Sequence, residues 1–258
     1  MLPKLIHDIR PIKPPAGFWD ERALLNQAAL RWLFLLRELG FALPGFDHLD
    51  FLIIHTPGAP ADIFPQVASG ESSCMQREVH CQVKSIPGSP DEILQFINDC
   101  IYACLRLVCS QDSKDLEILS RAHDKLQASG DSFQIVRKVV KNRAFEVSLF
   151  IRPCGMYPSG GELIASILQY GESAKIHYAV MFEYCSYWDI KALLGKVSID
   201  VDILEIVGSK EWVRKHPHLP SKILVSLSHT IATNNGAISF LSDVSLINKA
   251  LKDYDLPW

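Results

Sequence analysis

The stretch SFQIVRKVVKNRAFEVSLFI, Ser132 to Ile151, decides the fold class of this chain. Its two halves, Ser132–Val140 and Ala144–Ile151, are rich in β-branched and aromatic residues, which favours two strands. Lys141 and Asn142 lie between them. A connection this short joins antiparallel neighbours in a hairpin, so the sequence predicts at least one antiparallel pair.

Helices and further strands surround this hairpin. A capping box at Ser89–Glu92 predicts a helix to about Cys109 that is apolar nearly all round and therefore buried. The other predicted helices are Asp20–Gly40, Ser113–Ala128, Gly160–Tyr170, Tyr187–Leu194 and Ser242–Tyr254. The other predicted strands are Leu49–His55, Gln76–Ile86, Lys175–Tyr184 and Val197–Val207, with a last hairpin turning at Asn234–Gly236. This mixture predicts an α+β fold with a largely antiparallel or mixed sheet and packed helices.

The chain is expected to form a single domain over residues 1–258, because no charged or Pro/Ser-rich linker divides it. The longest interruption, residues 57–73, is expected to be an ordered surface loop. Ile63, Phe64 and Val67 make its middle too apolar for a solvated tether. Loops of this length are often functional.

Composition and charge exclude several classes of protein. With 48% hydrophobic and 21% charged residues, the chain is too apolar for a disordered protein. Its net charge of −3 gives no general attraction to nucleic acid or anionic membranes. The unbroken apolar run Trp32–Leu36 is far shorter than the roughly 20 residues that a transmembrane helix needs. Met1–Ile9 has no apolar signal-peptide core, so we expect a cytoplasmic protein with no nucleic-acid or membrane partner.

The seven cysteines are expected to be free thiols that pack as small apolar side chains. Cys100 and Cys104 are one helical turn apart, whereas Cys74 and Cys81 share no motif with them. Tetrahedral metal sites need several ligands at characteristic spacings. No such spacing occurs among these cysteines, so no metal site is predicted.

The stretch that most resembles a site is PCGMYPSGGE, Pro153–Glu162. A helix starting at Gly160 would present backbone N–H groups to an anion, and its dipole would activate Cys154 as a nucleophile. The alternative is a plain helix cap made by Ser159 and Glu162. Glu162 favours the cap, because an acidic residue repels a phosphate.

Common catalytic signatures are missing from the sequence: it contains no HExxH, no GxSxG, no GxGxxG after a strand and no pair of CxxC motifs. We therefore predict no catalytic residue, no cofactor and no metal. His216 and His218 lie among prolines and are expected to be loop histidines rather than ligands. His123 lies on an apolar helical stripe and is expected to be a hydrogen-bonded histidine at the edge of the core.

A binding surface is predicted from the aromatic and acidic segment FEYCSYWD, Phe182–Asp189, together with the predicted strand that follows. In that strand Asp200 and Asp202 alternate with apolar residues, which gives it one acidic face. Aromatic anchors surrounded by acids suit a basic protein partner. The residues predicted to bind are Glu183, Tyr184, Tyr187, Trp188, Asp189, Asp200 and Asp202. The alternative is that the rings face the core and the acids are simply solvated.

Three functions remain open at this level. The first is a non-enzymatic cytosolic protein-binding protein, such as an inhibitor or an immunity protein that neutralises a toxin domain. The second is a cysteine-dependent hydrolase or transferase that uses Cys154, with His177 or His229 as its base. The third is a structural subunit of a larger assembly, in keeping with a mean hydropathy of +0.11.

Overall fold

The computed structural model describes residues 3–6, 8–12, 22–69, 76–130, 133–153, 161–171, 175–185 and 187–233. Contacts divide the chain into two compact units, Met1–Phe133 and Gln134–Trp258. Each unit contains helices and sheets, and the sheets are mixed or antiparallel. The α+β class is therefore confirmed. A single domain over residues 1–258 stays a prediction.

The first unit combines helices with a mixed sheet. Its elements are β1 (Pro3–Leu5), β2 (Asp8–Pro11), α1 (Arg22–Glu38), β3 (Ala42–Pro44), β4 (His48–His55), β5 (Ile63–Val67), β6 (Gln76–Val83), α2 (Pro90–Val108) and α3 (Ser113–Ser129). The sheet has the order β2-β4-β6-β5, with β2, β4 and β6 parallel and β5 antiparallel to β6. β1 and β3 form a separate antiparallel pair.

Buried and more exposed side chains alternate along β6, as expected for a strand with one face in the core. Val79, Cys81 and Val83 point to the buried face of β6. Helix α1 contacts β2, and α2 contacts β5 and β6, so the apolar side of the sheet is covered by helices. The predicted N-cap of α2 is also confirmed, because Ser89 Oγ accepts the N–H of Glu92 at 3.4 Å, and it donates to Glu92 Oε2 at 2.8 Å.

The predicted surface loop 57–73 is a loop only in part. Ile63–Val67 forms β5, which pairs along β6 from Val83 to Val79. Ile63, Phe64 and Val67, which are too apolar for a solvated tether, thus belong to a strand that is paired at the edge of the sheet. Residues 70–73 lie outside the described ranges.

The second unit contains two antiparallel sheets. Its described elements are β7 (Ile135–Lys141), β8 (Phe145–Pro153), β9 (Gly161–Gln169), β10 (Lys175–Cys185), α4 (Tyr187–Leu193), β11 (Lys196–Asp200), β12 (Ile203–Val207), α5 (Lys210–Lys215), β13 (Lys222–Ser226) and α6 (Leu227–Thr233). The sheets have the orders β10-β9-β8-β7 and β11-β12-β13. The predicted hairpin at Lys141 and Asn142 is confirmed, and the Asn142 side chain accepts the N–H groups of Ala144 and Phe145.

Two predictions of secondary structure in this unit are wrong. The segment expected as a helix, Gly160–Tyr170, is strand β9, whose Leu163, Ala165 and Ile167 are buried between β8 and β10. Its Glu, Leu and Ala residues favour a helix locally, but pairing on both sides overrides that preference. The predicted strand Val197–Val207 is instead the hairpin β11–β12. The hairpin predicted at Asn234–Gly236 and the helix Ser242–Tyr254 lie outside the described residues.

Replacing Gly195 by alanine should lower the free energy of unfolding of the second unit by about 1–3 kcal/mol, the range for forcing atoms into a packed site. A Cβ there would lie 2.6 Å from the backbone nitrogen of Ser209 and 2.9 Å from the carbonyl oxygen of Val207, neither of which can rotate away. Urea denaturation followed by circular dichroism measures the change. Gly171→Ala is the matched control, because its Cβ would meet nothing within 4 Å, and equal effects from both variants would contradict the steric argument.

Candidate functional site

The predicted binding residues are distributed over three elements of the second unit. Glu183 and Tyr184 are near the end of β10, while Tyr187 and Trp188 begin α4. Only their backbone positions belong to the described part of the chain, so the prediction that their side chains bind a partner stays a prediction.

Asp189, the next predicted residue, is engaged inside the protein. Its Oδ1 lies 3.2 Å from Nε2 of His216, which is only 2% exposed. The His216 ring also lies 4.5 Å from the ring of Trp212, and its backbone N–H caps α5 by bonding to Trp212 O at 2.9 Å. His216 therefore lies in the loop after α5, as predicted, but its ring is buried rather than at the surface. The Asp189 carboxylate supports this packing.

Asp200 and Asp202 lie at the tip of the β11–β12 hairpin. β11 ends at Asp200, and Val201 and Asp202 form the two-residue turn before Ile203. The prediction of one acidic strand face is therefore wrong, since the turn breaks the alternation. The two carboxylates instead flank Val201, which is 81% exposed. Asn142 Nδ2 donates to Val201 O at 2.8 Å and joins this tip to the β7–β8 turn.

An exposed apolar surface covers one face of the sheet β10-β9-β8-β7. The register aligns Tyr178, Ser166, Ser148 and Val139 in one row across the four strands. A β-bulge between Val136 and Lys138 turns Val136 to the same side as Val139. We call this surface the outer face and define it by Val136, Val139, Ser148, Ser166, Ile176 and Tyr178.

The outer face is exposed along its two edge strands, whereas the opposite face is packed. Val147, Leu149 and Ile167 on the opposite face are fully buried. On the outer face Val136, Val139, Ile176 and Tyr178 are each between 53% and 61% exposed. In the row through Val139 and Tyr178, the central strands carry the short residues Ser148 and Ser166, whereas Phe150 and Ile164 in the next row are large and each 4% exposed. The edge strands thus form two rims about 14 Å apart across three strand spacings, and the trough between them is open only at the Ser148–Ser166 pair.

Charge is divided unevenly between the two units. Gln134–Trp258 contains 14 Lys and Arg against 12 Asp and Glu, a formal charge of +2. Met1–Phe133 contains 12 against 17, a formal charge of −5. The acidic surplus of the chain therefore lies in the first unit, whereas the predicted acidic binding residues lie in the second.

A polar cluster crosses the parallel strands of the first unit. Asp50 on β4 is only 4% exposed. Arg10 on β2 donates to it through Nε at 2.8 Å and Nη2 at 3.3 Å, and Gln76 on β6 donates from the other side. Asp8 also lies near Arg10, at 3.6 Å from Nε. These contacts satisfy a buried carboxylate, which explains why an acidic residue is tolerated in the middle of the sheet.

His123 lies at the α2–α3 interface as a hydrogen-bonded histidine, which confirms its prediction. Nε2 is 2.7 Å from Asp99 Oδ1, and Gln127 donates to the same carboxylate oxygen at 2.7 Å. The ring stacks on Tyr102 at 4.4 Å and on Trp32 at 6.2 Å. This packing accounts for the residue structurally.

The alternative function, an enzyme that uses Cys154, loses the helix dipole that was expected to activate the thiol. Gly161 begins a strand, so no helix dipole lies at the end of this segment, and the prediction of a helix cap or anion site there is wrong. Glu162 instead pairs across the hairpin with Arg152. Cys154 lies outside the described residues. Of its suggested bases, His177 is half-buried on β10 and His229 is exposed on α6. Catalysis by Cys154 stays a prediction.

Cofactors, membranes and relatives give no further guide to function. Within the described ranges, no three His, Cys, Asp or Glu side chains are arranged to hold a metal ion. The helices in the same part of the chain do not include one that is long and apolar enough to cross a bilayer. A comparison with protein-family models, with curated proteins and with solved structures finds no match to this chain.

Proposed function

We propose that this protein acts by binding another protein, and that it does so through the outer face of the sheet β10-β9-β8-β7. The observation that carries the proposal is the exposure of Val136, Val139, Ile176 and Tyr178 together on one face. Single exposed apolar side chains are ordinary on a protein surface, but contiguous ones mark interaction surfaces. Tyr178 is also a residue type enriched at interfaces.

The shape of the outer face favours an amphipathic helix of the partner as its occupant. An α-helix with its side chains is about 10–12 Å across, which fits between rims about 14 Å apart. Its apolar side would contact Tyr178 and Ile176 on one rim and Val139 on the other. The helix backbone would approach the sheet most closely over the Ser148–Ser166 pair, because Phe150 and Ile164 in the next row are large.

Charges at one end of the trough are of both signs. Lys141 on β7 is exposed on the outer face, and Lys175 is exposed at the start of β10. Asn142 holds the hairpin tip that carries Asp200 and Asp202. We therefore assign the main contact with the partner to the apolar residues of the outer face. A basic partner remains a proposal that rests on the two carboxylates of the tip.

More specifically, we propose that this protein inhibits the partner that it binds. The partner would be an enzyme or toxin domain that this protein neutralises by occupying its surface, as an immunity protein does. Two observations support this role: the exposed apolar face and a sequence without the common catalytic signatures.

The outer face is tested by placing a charge on each rim in turn. Tyr178→Asp and Val139→Asp should each lower the yield of a stoichiometric partner captured from the lysate of the native organism by at least tenfold, because the new carboxylate would lose its water within the contact. Val213→Asp is the matched control, since Val213 is an exposed valine of the same unit on α5.

The purified partner then allows a quantitative test. Calorimetry should give one binding site for the unaltered protein, and a stoichiometric amount should abolish the partner's activity if the role is inhibition. Equal binding by Tyr178→Asp and the unaltered protein would overturn the outer face as the contact. If Val213→Asp lost as much binding as Tyr178→Asp and Val139→Asp, the effect would not be specific to the outer face.

A further inference from the structure

The row through the middle of the outer face contains a recess. Ser148 and Ser166 are Cα partners on the central strands, and Val139 and Tyr178 continue the row on the edge strands. Both serines are partly exposed, whereas Val139 and Tyr178 are 53% and 61% exposed. The floor of the row therefore consists of two short side chains between two larger ones. We call this place the serine recess and define it by Val139, Ser148, Ser166 and Tyr178.

The serine recess is closed on one side along the strands. Phe150 and Ile164, the Cα partners of the next row, are large and each 4% exposed. The ring of Tyr178 lies edge-on to the ring of Phe150, with 6.4 Å between their centroids, so Tyr178 is packed on one side although it is exposed on the other. The recess has the width of one side chain, because successive side chains on one face of a strand are about 7 Å apart.

The row on the other side of the serine recess carries both signs of charge. Lys141 and Glu146 are Cα partners in that row, and Leu168 continues it on β9. Glu146 Oε2 also accepts the hydroxyl of Tyr170 at 2.9 Å. A cation placed beside this row would be repelled by Lys141, and an anion would be repelled by Glu146. Electrostatics therefore favour an uncharged occupant of the recess.

The hydroxyl groups on the floor decide what kind of uncharged group this is. A serine hydroxyl both donates and accepts, and it loses its water when another side chain covers it. A purely apolar occupant would leave the hydroxyls of Ser148 and Ser166 without partners, which costs free energy. An occupant that is flat and apolar along its length and polar at its tip would pack between Val139 and Tyr178 and bond to a serine. The tyrosine side chain has these properties.

We propose that the partner inserts one tyrosine side chain into the serine recess, where the ring lies flat over one serine and the phenol hydroxyl hydrogen-bonds to the other. This inference rests on the proposed function, in which the outer face is the contact with the partner. It adds an anchor residue to the partner helix, and the flat ring keeps that helix close to the sheet. Buried tyrosines are frequent anchors of interfaces, and a site built to bond a hydroxyl rejects a phenyl ring that lacks one.

The experiment measures the binding of p-cresol, which is the tyrosine side chain as a free molecule, from the amide chemical shifts of the isotope-labelled full-length protein. The shifts should change at the serine recess, with a dissociation constant in the millimolar range for a ligand this small. Replacing both Ser148 and Ser166 by alanine should weaken p-cresol binding about fivefold, the usual effect of one neutral hydrogen bond. The same change should not weaken the binding of toluene, which lacks the hydroxyl.

Two single variants test whether the recess itself holds the ring. Ser166→Leu should abolish the p-cresol shifts, because leucine fills the space over the floor. Ser198→Leu is the matched control, at a partly exposed serine on β11 of the same unit, and it should leave p-cresol binding unchanged.

Two outcomes would overturn the inference. One is p-cresol that leaves the amides of the serine recess unshifted, or shifts them equally in Ser166→Leu. The other is toluene that binds as tightly as p-cresol and loses as much affinity in the alanine variant. Neither outcome touches the proposed function, which Tyr178→Asp and Val139→Asp test with the captured partner. If those two variants kept the partner although p-cresol bound, the proposed function would fail and the inference would fall with it.

Discussion

Replacing Arg10 by methionine should lower the free energy of unfolding of the first unit by about 3 kcal/mol. The change leaves Asp50, which is 4% exposed, without the two N–H groups that Arg10 donates. Removing one partner of a buried ion pair costs about 3–5 kcal/mol. We expect the lower end because Arg10 is itself 37% exposed and Gln76 still donates to Asp50.

Urea denaturation gives the size of this effect, and hydrogen exchange of the β4 and β6 peptides assigns it to the first unit. Lys84→Met is the matched control. It breaks an exposed pair with Asp62, at 3.6 Å, whose contribution should be no more than about 0.5 kcal/mol. If Arg10→Met and Lys84→Met were equally stable, the Arg10–Asp50 pair would not contribute the stability expected of it.

Replacing Trp212 by alanine should lower the free energy of unfolding of the second unit by about 3–5 kcal/mol, the usual range for removing a buried aromatic residue. Trp212 is fully buried, and its Nε1 donates to Pro220 O at 3.0 Å. Its ring packs so closely on Gly208 that a Cβ there would lie 2.3 Å from Cδ1. The same ring supports His216, so the cavity would also loosen the Asp189–His216 pair.

Two further variants separate the causes of the lost stability. Trp212→Phe keeps much of the volume but removes the hydrogen bond to Pro220, so its effect should fall between those of alanine and the unaltered residue. Val213→Ala, next to it but exposed, should change the urea midpoint very little. An alanine variant no less stable than Val213→Ala would contradict the structural role given to Trp212.

The position of Asp189 changes how the predicted acidic site should be tested. A variant that lacks both Trp188 and Asp189 also removes the partner of the buried His216, so a loss of binding in it would not identify a contact. Asp200 lies at an exposed hairpin tip, so Asp200→Ala probes the acidic contact without that complication.

Local signals predicted those parts of the fold that depend on neighbours in sequence. The N-cap at Ser89, the Lys141–Asn142 turn and the alternation of β6 all depend on residues a few positions apart, and all are confirmed. The two errors lie where pairing partners decide the structure. β9 has the composition of a helix, and the β11–β12 turn contains none of the Gly, Asn or Pro residues that normally mark one.

The candidate site was harder to predict because hydrophobicity suggests the wrong face of β10. Ile176 and Tyr178 are the most apolar alternate residues there, and a sequence argument assigns them to the core. In the structure they are exposed, while Ala179 is buried and His177 is half-buried. Only the register with β9 and β8 reveals this inversion.

Val201 has a left-handed backbone, with φ 53°, at the first position of the β11–β12 turn. Glycine is the usual residue there, and a β-branched side chain in this conformation costs about 1–3 kcal/mol. Selection for stability alone would replace it, since such substitutions are readily found. A strained valine at this exposed tip therefore makes the hairpin less stable than glycine at the same position would.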